Sequence, residues 1–148
     1  MKIWIDGDAC PGSIKKILFK AAERTGVSLI LVANRLVRVP ASDVISFIQV
    51  GAGADVADKE IIRHVVKADL VITADIPLAA AVVDKGAVAL DPRGVLYTAE
   101  NIGERLSYRD FMDSLRSTGM ETGGPKAFTQ GDKQQFANQL DRLLSSGK

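Results

Sequence analysis

Two carboxylates leave the first apolar run of the chain together. Ile3-Trp4-Ile5 leads into Asp6-Gly7-Asp8-Ala9-Cys10-Pro11, and a helical pattern follows at once. In an open parallel sheet, ligands bind beyond the carboxyl ends of the strands. Two acids at such an exit therefore suit a metal or phosphate site, although Asp6-Gly7-Asp8 is also ordinary turn chemistry. The same residue type recurs. Asp55 and Asp58 stand at i and i+3 in the first turn of a later helix, on one face, and Asp75 follows the fourth apolar run. Taken singly, Asp55 and Asp75 read as helix-cap acids that favour the helix dipole. Taken together, the acids converge at one crevice if strands one and four are neighbours. Clustered carboxylates are costly without a partner, and a divalent cation is the usual resolution. Oxygen-only ligands suit Mg²⁺ or Mn²⁺ better than zinc.

The elements that must position these acids alternate. Residues 2–6 read as a buried strand. Ile14, Ile17, Leu18, Ala21 and Ala22 mark one helical face, with Ser13 or a neighbour as its cap and Gly26 as its stop. Residues 28–33 form a nearly continuous apolar run, as in a strand covered on both faces. Residues 34–40 read as a loop or edge segment with two arginines, and 47–50 as a third strand. A helix is expected from about 55 to 67, a fourth strand over 69–73, and a short helix over 78–85 with Pro77 in its first turn. A fifth strand, 88–90, leads into Asp91-Pro92-Arg93-Gly94. Such alternation predicts βαβ units, an α/β/α three-layer sandwich and a mostly parallel five-stranded sheet. Further on, a short helix over 98–105 is expected. A second begins at Ser107-Tyr108-Arg109-Asp110, which resembles a capping box with Asp in the place of Glu. Residues 118–126 read as a flexible loop, and Phe136, Leu140, Leu143 and Leu144 as a last amphipathic helix.

The chain has 148 residues, one domain's worth. The expected organisation is a single domain over 1–148: an α/β core over about 1–97, and a helical extension over 98–148 packed on it because ~20 residues cannot bury a core alone. Nineteen basic residues against eighteen acidic ones leave a charge of +1, so no global basic field steers a polyanion. The one cysteine excludes an internal disulfide. With no signal-peptide pattern and no apolar stretch of ~18 residues, a cytoplasmic location is the default expectation.

Other signals carry less. Gly51-Ala52-Gly53 after a strand resembles a dinucleotide fingerprint. Val56 stands where the third glycine belongs, and Asp55 would repel a pyrophosphate. Cys10 reads as a small, partly buried thiol, since His64 is not placed to be its base. His64 reads as a rim residue and Trp4 as core.

Asp6-Gly7-Asp8-Ala9-Cys10-Pro11, Gly53-Ala54-Asp55-Val56-Ala57-Asp58, Ile72-Thr73-Ala74-Asp75-Ile76-Pro77-Leu78-Ala79, Asp91-Pro92-Arg93-Gly94 and Thr122-Gly123-Gly124-Pro125 together resemble the bacterial YaiI/YqxD family, over nearly the whole chain. That family has no established activity of its own and is grouped with PIN-like domains, many of which are metal-dependent ribonucleases. The resemblance implies a PIN-like fold with Asp6, Asp55 or Asp58, and Asp75 as metal ligands. Asp8 is a less secure counterpart, and Asp91 a weak candidate for a further acid. The implied chemistry is phosphodiester cleavage of RNA with two cations ~4 Å apart, one activating water and one stabilising the leaving oxygen. Asn34, Arg35, Arg38, Arg93 and Lys126 are the candidates to grip the backbone, arginine through bidentate contacts. Arg93 leads because its turn leaves strand five on the same edge.

Two other classes fit part of the pattern. Asp6-Gly7-Asp8 also matches the strand-one motif of haloacid-dehalogenase-type phosphatases, with Asp6 as nucleophile and Asp8 as acid. Cys10 stands where that motif usually has Thr or Val, and no convincing later lysine and acid pair is visible. The third class is a non-catalytic RNA-binding or regulatory module, which the lack of a basic field mildly favours.

Overall fold

The computed structural model describes residues 1–53, 55–119 and 127–146. Its centre is β1 (Lys2–Asp6), followed by α1 (Gly12–Thr25), β2 (Ser28–Ala33), β3 (Ile45–Gln49), α2 (Val56–His64), β4 (Leu70–Ile72), α3 (Ile76–Asp84), β5 (Val88–Leu90), β6 (Leu96–Tyr97), α4 (Ile102–Ser117) and α5 (Gln130–Ser146). The strand order is β3-β2-β1-β4-β5-β6. Every pairing is parallel except that of β6, which runs back along β5. The sheet thus has six strands where five were expected. Two residues carry no readable periodicity, so β6 is invisible in the sequence.

Alternation along the strands builds the layers. Ile3, Ile5, Leu29, Leu31, Leu70 and Ile72 face one side and pack on Ile14 and Leu18 of α1 and on Phe136, Leu140 and Leu144 of α5. Trp4, Ile30, Val32 and Val71 face the other and pack on Ala57 and Ile61 of α2 and Leu78, Ala79 and Val82 of α3. Both faces are covered, which is why β2 after Ser28, and all of β4, are apolar.

The chain moves outward on one side of β1 through β2 and β3. It then crosses back through α2 to place β4 on β1's other edge. α1 covers one face and α2 and α3 the other, as the usual right-handed crossovers would place them. The β1/β4 boundary is therefore the topological switch point, where the strand exits open a crevice.

Several local expectations shift. No side chain caps α1; Pro11 holds the N-cap position and Ser13 lies inside the helix. Gly26 ends it in the left-handed conformation, as the sequence suggested. α2 is shorter than expected and stops where Val65 turns extended. The two short helices expected near 98–105 and from Ser107 are one helix, α4, and Ser107 and Asp110 are interior, exposed positions of it. Neither glycine nor proline interrupts 104–117, so nothing breaks it. Most of the loop read over 118–126, with Thr122-Gly123-Gly124-Pro125 and Lys126, lies outside the described residues.

Candidate metal centre

β1 carries Asp6 to the switch point and buries it, at 7% exposure. The next residue must be small. A Cβ at Gly7 would overlap the Leu31 side chain and crowd Ala33, because Gly7 N–H still donates to the Val32 carbonyl at 2.8 Å and keeps the chain against β2. Beyond it the chain turns out, and Asp8 meets the exit of β2, where the Asn34 backbone N–H donates to its Oδ2 at 2.8 Å. Its Oδ1 is shielded from solvent and accepts no hydrogen bond. The Arg35 guanidinium stands 3.9 Å away, an ion-pair distance only.

β4 delivers the second group. Thr73, just past its end, faces Asp6 at 3.5 Å through its hydroxyl, which also accepts from the Asp75 N–H at 3.0 Å. Asp75 caps α3, its Oδ1 accepting from Leu78 N–H at 3.0 Å. The cap reading is thus correct for Asp75 and leaves its other oxygen for the cleft. Asp55 is different. It holds the N-cap position of α2 with φ 66° and makes no side-chain capping bond. A left-handed aspartate is tolerated but uncommon, and here it leaves the carboxylate unused by the helix.

Asp55, Asp58 and Asp75 each place an oxygen within 4.8 Å of the others. Asp6, Asp8 and Asn34 line the same cleft, of roughly 260 Å³. The electrostatic consequence is plain. Burial, then the charges of Asp6, Asp75 and Asp55, then a hydrogen bond with Asp75, push the Asp58 carboxyl up to about 7. Burial and the charges of Asp8 and Asp75 also raise Asp6, against the Thr73 hydrogen bond. A carboxyl pushed up to about 7 by the acids around it marks a place whose charge a cation would relieve. Its donors are all oxygens, and Asp8 Oδ1, which accepts no hydrogen bond, is a further acceptor at the rim. The residues fit a hard divalent ion.

The other sequence candidates scatter. Arg38 is exposed and lines neither this cleft nor its neighbour. Arg93 is placed elsewhere: it donates to Asp132 at 2.8 Å and to the Ala127 carbonyl at 3.3 Å, with its guanidinium 5.8 Å from the Phe128 ring centre. Asp91, whose carboxyl burial raises, faces Arg93, Asp132 and Arg105 rather than the acid cleft. The Asp91-Pro92-Arg93-Gly94 turn docks α5; its direction of exit from β5 was the wrong guide. Lys126 lies outside the described residues. Cys10 is buried and its thiol is pushed up to about 12, chiefly by burial. Trp4 is core. His64 stacks on it at 5.8 Å between ring centres and bonds Glu60 at 2.7 Å. Sequence reasoning missed Thr73, whose only signal was its place two residues before Asp75.

A model of the YaiI/YqxD family of uncharacterised proteins matches residues 4–146. The chain belongs to that family. A relative from Syntrophotalea carbinolica, named only as a UPF0178 protein, is 63% identical over 145 residues, 98% of each chain. One from Thioalkalivibrio sulfidiphilus is 64% identical over 145 residues, 98% of this chain and 99% of its own. One from Colwellia psychrerythraea is 59% identical over 148 residues, 100% of this chain and 98% of its own. No solved structure matches. Among the described residues, no helix is long and apolar enough to cross a membrane.

Proposed function

We propose that this YaiI/YqxD protein is a divalent-cation-dependent phosphodiester hydrolase acting on RNA, with a PIN-like fold. The observation that carries the reading is the convergence of Asp55, Asp58 and Asp75 oxygens within 4.8 Å, in a cleft that Asp6 and Asp8 also line. Asp55, Asp58 and Asp75 would hold Mg²⁺ or Mn²⁺. When bound, such a cation lowers the pKa of water and offsets charge on the phosphate. Thr73 positions the site from below by tying Asp6 to the Asp75 backbone. The Asn34 N–H fixes Asp8 at the opposite rim.

The phosphatase reading asks Asp6 to attack phosphorus. A nucleophilic carboxylate must be ionised and accessible. Asp6 is buried, at 7% exposure, and its Oδ2 faces the Thr73 hydroxyl, which supports a holding role instead.

Calorimetric titration with Mn²⁺, paired with cleavage of labelled single-stranded RNA, tests the proposal. Cleavage is expected with Mn²⁺ or Mg²⁺ and not with a chelator. Asp75→Asn should lower both affinity and cleavage by at least roughly 100-fold, since even outer-shell partners of metal ligands are worth 10–100-fold. Unchanged Mn²⁺ affinity in both Asp6→Asn and Asp75→Asn would defeat the metal centre. Fast turnover of a chromogenic phosphomonoester with a trapped Asp6 adduct would favour the phosphatase. RNA retention without cleavage would favour the binding module.

A further inference from the structure

We propose that the groove between α2, α3 and α4 is the track along which a single-stranded nucleic acid leaves the acid cleft. Lys59 and Arg109 grip its phosphates, and Tyr108 and Phe111 stack its bases. This rests on the reading of the acid cleft above and adds the path of the strand and the residues that hold it.

The three clustered acids line two clefts at once. One, toward β1 and β2, is walled by Asp6, Asp8 and Asn34. The other, of roughly 330 Å³, is walled by Lys59 and Ile62 of α2, Pro77 and Leu78 of α3, and Arg109 of α4. The acids form a ridge with opposite surroundings: more carboxylates on one side, two cations and an apolar floor on the other. The first side has one cation, Arg35, already facing Asp8, so a polyanion that reaches a cation-loaded cluster finds the more favourable continuation on the second side.

Both cations are available. Among the described residues no carboxylate pairs with the Lys59 ammonium. Among the described residues Arg109 pairs with Asp110 and Asp113 of its own helix, each at 3.4 Å and exposed. Such surface pairs are weak, and a phosphate can replace them.

α4 continues the track. It packs along α3 yet buries none of its residues fully. Next to Arg109, Tyr108 is 63% exposed and Phe111 59%. They line a third cleft, of roughly 630 Å³, with Asn101, Glu104, Arg105 and Ser107, which has no wall residue in common with the cleft of Lys59 and Arg109 and meets it across α4 where Tyr108 adjoins Arg109 in the chain. Exposed aromatic rings beside cations are the equipment for stacking unpaired bases. A duplex hides its base faces, so the fitting ligand is single-stranded.

The test measures anisotropy of a fluorescein-labelled 12-nucleotide RNA in Ca²⁺ buffer, with Mn²⁺ calorimetry and sedimentation on the same full-length proteins. Tyr108→Ala/Phe111→Ala should weaken RNA binding about 10–100-fold, the range for losing one stacked base or more. Lys59→Ala/Arg109→Ala should flatten the slope of log affinity against log salt by about 1.4, two single-strand phosphate contacts. Lys59→Arg/Arg109→Lys should restore most of it. Mn²⁺ affinity should hold or tighten in Lys59→Ala/Arg109→Ala, because cations near the site are removed. RNA binding that survives every variant overturns the track while the metal centre stands. Mn²⁺ binding without any RNA binding does the same. Loss of Mn²⁺ affinity in Lys59→Ala/Arg109→Ala overturns the proposed division of the two clefts. Loss of self-association in Tyr108→Ala/Phe111→Ala, with RNA affinity unchanged, assigns the aromatic face to a second copy and overturns the track. Wild type that binds neither ligand removes both readings.

Discussion

Asp58 carries the conflict of the acid cluster. Asp58 titrates near 7 in the fold against an ordinary 3.8. Between those values the folded chain holds a proton that the unfolded chain has released, so the contribution is fully present at low pH and fades as pH rises through about 7. Asp6 is raised as well and acts in the same direction. The metal-free protein should therefore be less stable at pH 8 than at pH 5. Because Asp58 is partly solvated and screening reduces the effect, the difference from this group should be about 1–2 kcal/mol, or roughly 3–6 °C in melting temperature. Asp58→Asn should flatten this dependence and raise the metal-free melting point at pH 8. Mn²⁺ should lift the wild type at pH 8 and leave that variant nearly unmoved. Thermal scans at the two pH values, with and without Mn²⁺, check all of this; a wild type more stable at pH 8 than at pH 5 without metal would contradict it.

At the scale of elements, α5 shows how a turn that reads as chemistry can be structure. Gly94, at φ 90°, closes the turn between β5 and β6, and a Cβ there would stand 2.8 Å from backbone atoms of Gln135 and Phe136. The helix backbone rests on the glycine, and Arg93 holds its N-terminal end through Asp132. Gly94→Ala should cost about 2–4 kcal/mol, from the strained φ and the overlap with backbone that cannot rotate away. Hydrogen exchange should locate the loss in α5. Gly12→Ala is the control, since nothing lies within 4 Å of a Cβ there; equal losses in both variants would defeat the docking account.

Over the whole molecule, one question is whether the C-terminal helix is an appendage or part of the core. Phe136, Leu140 and Leu144 belong to the same apolar cluster as Ile3, Ile5 and Leu29, and Phe136 is fully buried. Phe136→Ala should remove about 3–5 kcal/mol, a large share of a typical domain's 5–15 kcal/mol. Denaturant unfolding followed by far-UV and by near-UV dichroism should show one transition, shifted down. Two separated transitions, or a shift under ~1 kcal/mol, would mean the helix folds apart from the sheet.

What the sequence determined by itself is local and periodic. The acids at the ends of apolar runs, the stop at Gly26, the Asp75 cap followed by Pro77, the two-sided burial of β2 and the amphipathic Phe136-to-Leu144 helix all follow from neighbours within one or two turns. These interactions are encoded by spacing, so they were legible. The tertiary structure decided which strand exits meet. β4 lies beside β1 because α2 crosses back over the sheet, and that choice brings Asp75 to Asp6 across 69 positions of chain. It also decided which cations matter. Arg93 is drawn off by Asp132, 39 residues away, while Lys59 and Arg109, on separate helices, come to share a cleft with the acids. Pairings of this range carry no period in the sequence. They are fixed when packed faces bring distant side chains within a few ångströms, where burial and charge then settle each one's protonation and partner.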